Sequence, residues 1–109
     1  MKIPKKLKIG GHAYRVVYPY SFTERGDRNG SHDFDALEIR IDNKDGWSHK
    51  ENPESRVAVT FLHEILHACD AVTGGGIFSG DDSENKVERL SESLFQVLRD
   101  NGLRFDLKD

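Results

Sequence analysis

Apolar and polar residues alternate along the first part of the chain and then change period. In LKIGGHAYRVVY the residues Leu7, Ile9, His12, Tyr14, Val16 and Tyr18 share one face of two short runs. Gly10 and Gly11 separate those runs, the spacing of a two-residue hairpin turn. Ile9 opposite His12 and Leu7 opposite Tyr14 is the register that keeps this face consistent. His12 is then expected to pack among apolar neighbours with one hydrogen bond. ALEIRI, Ala36 to Ile41, reads as a third strand, with Leu37, Ile39 and Ile41 on one face and Glu38 and Arg40 on a wetter one. Between these strands ERGDRNGSHDFD reads as a polar loop, in which His32, Asp33 and Asp35 are solvated rather than a ligand set. DNKDGWSHKEN reads as a second loop, with Trp47 either a core plug or a cleft-lining aromatic.

The period lengthens after residue 51. Asn52 suits a helix N-cap, Pro53 the first helical position, and Glu54 the positive end of the helix dipole. The helix is predicted over 52–73 and is stopped by Gly74 to Gly76. A second helix is predicted over 82–102, capped by Asp82 or Ser83 and ended by Gly102. Its apolar stripe is Val87, Leu90, Leu94, Val97 and Leu98. Leu103 to Asp109 is left as a short strand or a docked extension. The expected fold is α+β: a small antiparallel three-stranded sheet from residues 1–45, packed on the 52–73 helix and a C-terminal helix, in one domain spanning 1–109.

Composition narrows the function. The 109 residues are 36% hydrophobic and 32% charged, with a net charge of −3, a globular balance that argues against a nucleic-acid or membrane-surface partner. Cys69 is the sole cysteine, so no internal disulfide forms. No apolar run has transmembrane length, and the charged N-terminus lacks the apolar core of a secretory signal. A cytoplasmic location is expected.

The chemistry lies in TFLHEILHACD, Thr60 to Asp70. Most of this helix is apolar all round, yet Thr60, His63, Glu64, His67 and Asp70 fall in a single sector of roughly 120°. Buried polar groups are costly without partners, so the stripe must face a polar cavity or an ion. His63 and His67, four residues apart, project side by side with room for one ion between them. Imidazole nitrogen suits zinc, as does carboxylate oxygen. Glu64 leans to the side, placed to work on a water at the ion without binding the ion. This is the HExxH pattern. Zinc enzymes use three protein ligands, and the second helix offers Glu84 and Glu88. Glu84 lies nearer the buried edge and is the preferred third ligand, with Glu88 as the alternative or as a group that orients a ligand. Asp70 is expected to accept the free ring N–H of His67.

TFLHEILHACD followed by SENKVERLSESL resembles the gluzincin metallopeptidases, in which HExxH lies on one helix and a glutamate on the next completes the zinc site. The resemblance is greatest to very short phage and prophage HExxH proteins and to archaeal minigluzincins, and extends distantly to the ImmA/IrrE repressor-cleaving peptidases. In that last group the ligand glutamate opens an ExxAxxFA pattern, and Glu84, Val87, Leu90 and Ser91 fall at the matching positions. The resemblance implies zinc held by His63, His67 and Glu84, with Glu64 as catalytic base and a peptide or protein as substrate. For a phage-encoded chain the location becomes the host cytoplasm. Some minigluzincins are kept latent by terminal segments, a role open to the tail from Leu103.

Two functions compete. One is a zinc peptidase, in which ALEIRI offers an edge for an extended peptide and Tyr14, Tyr18, Tyr20 or His49 supplies the oxyanion electrophile. The other is a catalytically inactive, metal-stabilised module that binds and inhibits a partner protein.

Overall fold

The structure is a computed structural model that describes residues 2–23 and 28–103. The tail beyond Leu103 and part of the 24–35 loop therefore lie outside the described residues. Four strands, β1 (Lys6–Ile9), β2 (His12–Val17), β3 (Gly30–Asp33) and β4 (Glu38–Ile41), precede two helices, α1 (Glu54–Val72) and α2 (Ser83–Asn101). The strands form one sheet in the order β1-β2-β4-β3. β1 and β2 pair antiparallel in the expected register, Ile9 opposite His12 and Leu7 opposite Tyr14. Gly10 turns the hairpin at φ +61°, and a β-carbon there would meet Val72 Cγ2 at 2.9 Å, so the turn also seats the end of α1.

The sheet is mixed and four-stranded, not three-stranded and antiparallel, because β2 and β4 run parallel and β3 adds to β4 as an antiparallel edge. β3 reads Gly-Ser-His-Asp and has no apolar alternation, so nothing in its pattern separates it from a loop. It holds as a strand because its partner β4 is strongly apolar on one face and a tight turn joins the two. In that turn the Ala36 N–H donates to Asp33 Oδ1 at 3.0 Å and Leu37 adopts φ 51°. β4 accordingly starts at Glu38, with Ala36 and Leu37 in the turn rather than in the strand.

The core lies between the sheet and α1. Ile9, Tyr14, Ile39, Ile41, Val57 and Ala68 form its buried cluster, with Leu7, Phe61, Ile65 and Val72 packed against it. α2 packs on α1. On α2 Val87 and Ser91 are fully buried, while Leu90 and Val97 of the expected stripe stay exposed. Ser91 is a small polar residue whose hydroxyl donates to Glu88 O at 2.9 Å within the helix, so a purely apolar count overlooks it.

Other expectations shift for local reasons. His12 is exposed and stands edge-on to Phe34 at 5.8 Å, at the sheet margin rather than in the core. Trp47 is 81% exposed, so it neither plugs the core nor lines a cleft. Glu38 is only 4% exposed: Arg15, its partner across the parallel pair, donates from Nε at 2.8 Å, and Arg40 pairs with it from the same strand. The two arginine stems cover what the alternation presents as a wet face. Pro53 is itself the cap of α1, its carbonyl accepting from Arg56 N at 3.0 Å, and Asn52 lies one residue outside. Gly102 ends α2 in the left-handed conformation at φ 56°.

Candidate metal centre

A cleft of about 540 Å³ opens between β3, α1 and α2. Arg56, Thr60, His63, Glu64 and His67 line it from α1, and Glu84 and Glu88 from α2. Arg28 to His32 border it as five consecutive residues. Neighbouring strand residues point to opposite faces, so lining by an unbroken run means that the edge of β3 itself borders the cleft. Four of the five polar residues on the α1 stripe thus face a polar cavity.

His63 Nε2 lies 3.2 Å from Glu84 Oε2, and His67 Nε2 lies 2.8 Å from Glu84 Oε1. All three donor groups fall within 4.8 Å of one another. Ligands at about 2.0–2.1 Å in a tetrahedron stand roughly 3.3 Å apart, close to the two histidine–Glu84 separations, so this group could hold a metal ion. Val87 and Ser91 face α1 on the same side of α2 as Glu84, and this is why the exposed Glu84 (72%) can still reach over both histidines. Glu88 does something else: its Oε2 is 3.0 Å from His63 Nδ1. Donation of Nδ1–H to Glu88 leaves the Nε2 lone pair for a metal and fixes the ring plane.

Glu64 lies beneath this group, 7% exposed. Gly30 of β3 covers it, and a β-carbon at Gly30 would meet Thr60 Cγ2 at 2.7 Å and Glu64 Oε2 at 3.0 Å. Only glycine admits so close an approach of strand to helix. Burial pushes the Glu64 carboxyl from 4.5 up to about 7; the nearby His63 opposes the shift and Glu84 adds to it. Folding of metal-free protein therefore takes up a proton between pH 4.5 and 7, and this contribution to stability is lost as pH rises through that window. At about 1.4 kcal/mol per pH unit the loss amounts to roughly 3 kcal/mol. Glu38 works in the opposite sense, because Arg15 and Arg40 hold its carboxyl low and its contribution is lost on acidification. In chelator-treated protein, urea melts between pH 4.5 and 7 are expected to show a slope that Glu64→Gln flattens. An unchanged slope would contradict the burial argument.

Asp70 has other partners than those expected. Its carboxylate accepts the backbone N–H of Ile77 at 2.9 Å and of Phe78 at 3.2 Å, so it ties down the glycine-rich connection to α2 instead of orienting His67. Those two donors offset the unfavourable position of an acid at a helix C-terminus. The expected oxyanion groups also lie elsewhere: Tyr14 is fully buried, and Tyr18, Tyr20 and His49 are not among the residues lining the cleft.

His32 is the residue that the loop reading passed over. Its Nε2 lies 2.7 Å from the Tyr14 hydroxyl. The Tyr14 proton has no other acceptor among the described residues, so Tyr14 donates and His32 keeps its own N–H on Nδ1. Burial and the neighbouring His67 push the His32 pKa down, so the ring is neutral at neutral pH. The available signal was its place opposite Ile39 across a tight turn, which puts it on the α1 side of the sheet. No protein family, curated protein or solved structure matches the chain. Among the described residues no helix is long and apolar enough to cross a membrane.

Proposed function

We propose that this protein is a zinc-dependent peptidase of the gluzincin kind. The observation that carries the proposal is the convergence of His63, His67 and Glu84 beside a buried Glu64 in an open cleft. Zinc bound there supplies a Lewis acid that polarises a carbonyl and acidifies a water. Glu64 takes the proton of the attacking water as the C–O bond forms and then hands it to the leaving amine as the peptide C–N bond breaks. His32, anchored by Tyr14, donates Nδ1–H to the carbonyl oxygen as it gains charge.

The peptide is held along β3. β4 is interior to the sheet, so ALEIRI has no free edge to offer. Asp42 N donates to Asn29 O at 2.9 Å, which makes that opposed pair a hydrogen-bonded one. By alternation the backbone groups of Gly30 and His32 then point away from β4 and toward the cleft. An extended peptide pairs with them as a fifth strand laid over α1.

The test is a broad peptide library incubated with zinc-loaded protein, with and without chelator. Cleavage that chelator abolishes and added zinc restores is the expected result. His32→Ala is expected to lower kcat about 100-fold with zinc content unchanged. Stoichiometric zinc binding without cleavage of any peptide would instead leave the metal-stabilised binding module.

A further inference from the structure

The cleft is charged at both ends, with opposite sign. Glu64, Glu84 and Glu88 surround the histidines, and Arg28 and Arg56 line the same cavity. Arg56 stands on the α1 face of Thr60 and His63, four and seven residues before them. Arg28 precedes β3 by two residues. Gly30 abuts Thr60 and Glu64, and His32 lies close enough to His67 to feel its charge. β3 and α1 therefore advance along the cleft together. Stepping back along each, to Arg28 and to Arg56, leads to the same end from opposite walls.

Neither guanidinium has a carboxylate within ion-pair distance among the described residues. Arg28 feels Glu64 and Arg56 feels Asp45 only at longer range. This differs from the treatment of Arg15 and Arg40, which both close on Glu38. Two guanidinium forks with no carboxylate partner among the described residues, both lining one cleft, present the donor pattern that a carboxylate accepts.

We propose that Arg28 and Arg56 form a carboxylate-binding subsite and that the protein selects acidic peptides. This inference rests on the peptidase reading of the cleft. Arg56 precedes the midpoint of the histidine pair by nine residues, or about 13 Å along the helix axis. An extended peptide covers that distance in about four residues. The selected group is an Asp or Glu side chain, or a free C-terminal carboxylate, about four residues from the bond held at the histidines.

The experiment uses zinc-loaded Glu64→Gln protein and fluorescein-labelled decapeptides, read by anisotropy. One Glu is moved along an otherwise neutral sequence, each peptide is matched by its Gln counterpart, and each is made with a C-terminal acid or amide. At one register Glu is expected to bind at least about 10-fold more tightly than Gln. Acid against amide distinguishes a side-chain from a terminal carboxylate. Arg28→Gln and Arg56→Gln should each shrink the preference, and the double variant should erase it, with zinc content unchanged. Equal binding of Glu, Gln, acid and amide forms, binding of none, or a preference that survives the double variant would overturn the subsite. Wild-type protein incubated with the same peptides separates this from the wider reading. Cleavage without acidic preference leaves the peptidase and removes the subsite. Arginine-dependent binding without cleavage leaves the subsite and removes the peptidase.

Discussion

Glu64→Gln is expected to lower peptide hydrolysis by roughly 10³-fold or more while zinc content stays at the wild-type value. The substitution is nearly isosteric, which matters because Glu64 fills a slot closed by Gly30 and Thr60. An amide keeps the volume and removes the proton acceptor. The variant is not expected to unfold, since at neutral pH it relieves the desolvation of a buried carboxyl. Activity loss with an equal or higher melting temperature is therefore the signature of a missing base. If the variant keeps wild-type kcat with zinc bound, Glu64 is not the proton carrier.

The second large effect separates the two glutamates of α2. Glu84→Ala leaves two histidines as the only side-chain donors, and zinc affinity is expected to fall by roughly 10³-fold, one ligand's share of a typical binding free energy. Glu88→Ala leaves all three donors and removes only the acceptor that holds His63 Nδ1. Its expected cost is roughly 10–100-fold. Both side chains are at least partly exposed, so neither truncation opens a hole in the core. Competition against a coloured chelator measures both. A larger loss in Glu88→Ala than in Glu84→Ala would exchange their roles.

Most of the helical half was legible because its signals are local. Pro53, the glycine run and Gly102 bound the helices within a residue or two, and a single polar sector on a buried helix marks His63, Glu64 and His67. The strand half was legible only where apolar alternation exists. β1 and β2 were found with their register, whereas β3, a polar edge, was not, and the sheet count and the location of its free edge failed with it. His32 was lost for the same reason. Asp70 and Glu38 show a different limit. Their side chains were placed on the right elements, but their partners come from Ile77, Phe78, Arg15 and Arg40, and spacing within one element cannot name a partner on another.

His63 and His67 are set by one helix, whereas Glu84 arrives on another through residues 73–82. The carboxylate thus meets the imidazole pair as an intramolecular partner, at an effective concentration fixed by the length and stiffness of that tether. Three consecutive glycines at positive φ would make the tether slack, and Asp70 takes up the slack by gripping Ile77 and Phe78 midway along it. Doubling a flexible linker costs only about 0.6 kcal/mol. Added residues between Phe78 and Asp82 are therefore expected to be milder than loss of the carboxylate at 70, which sets the local concentration of Glu84 without approaching the histidines itself.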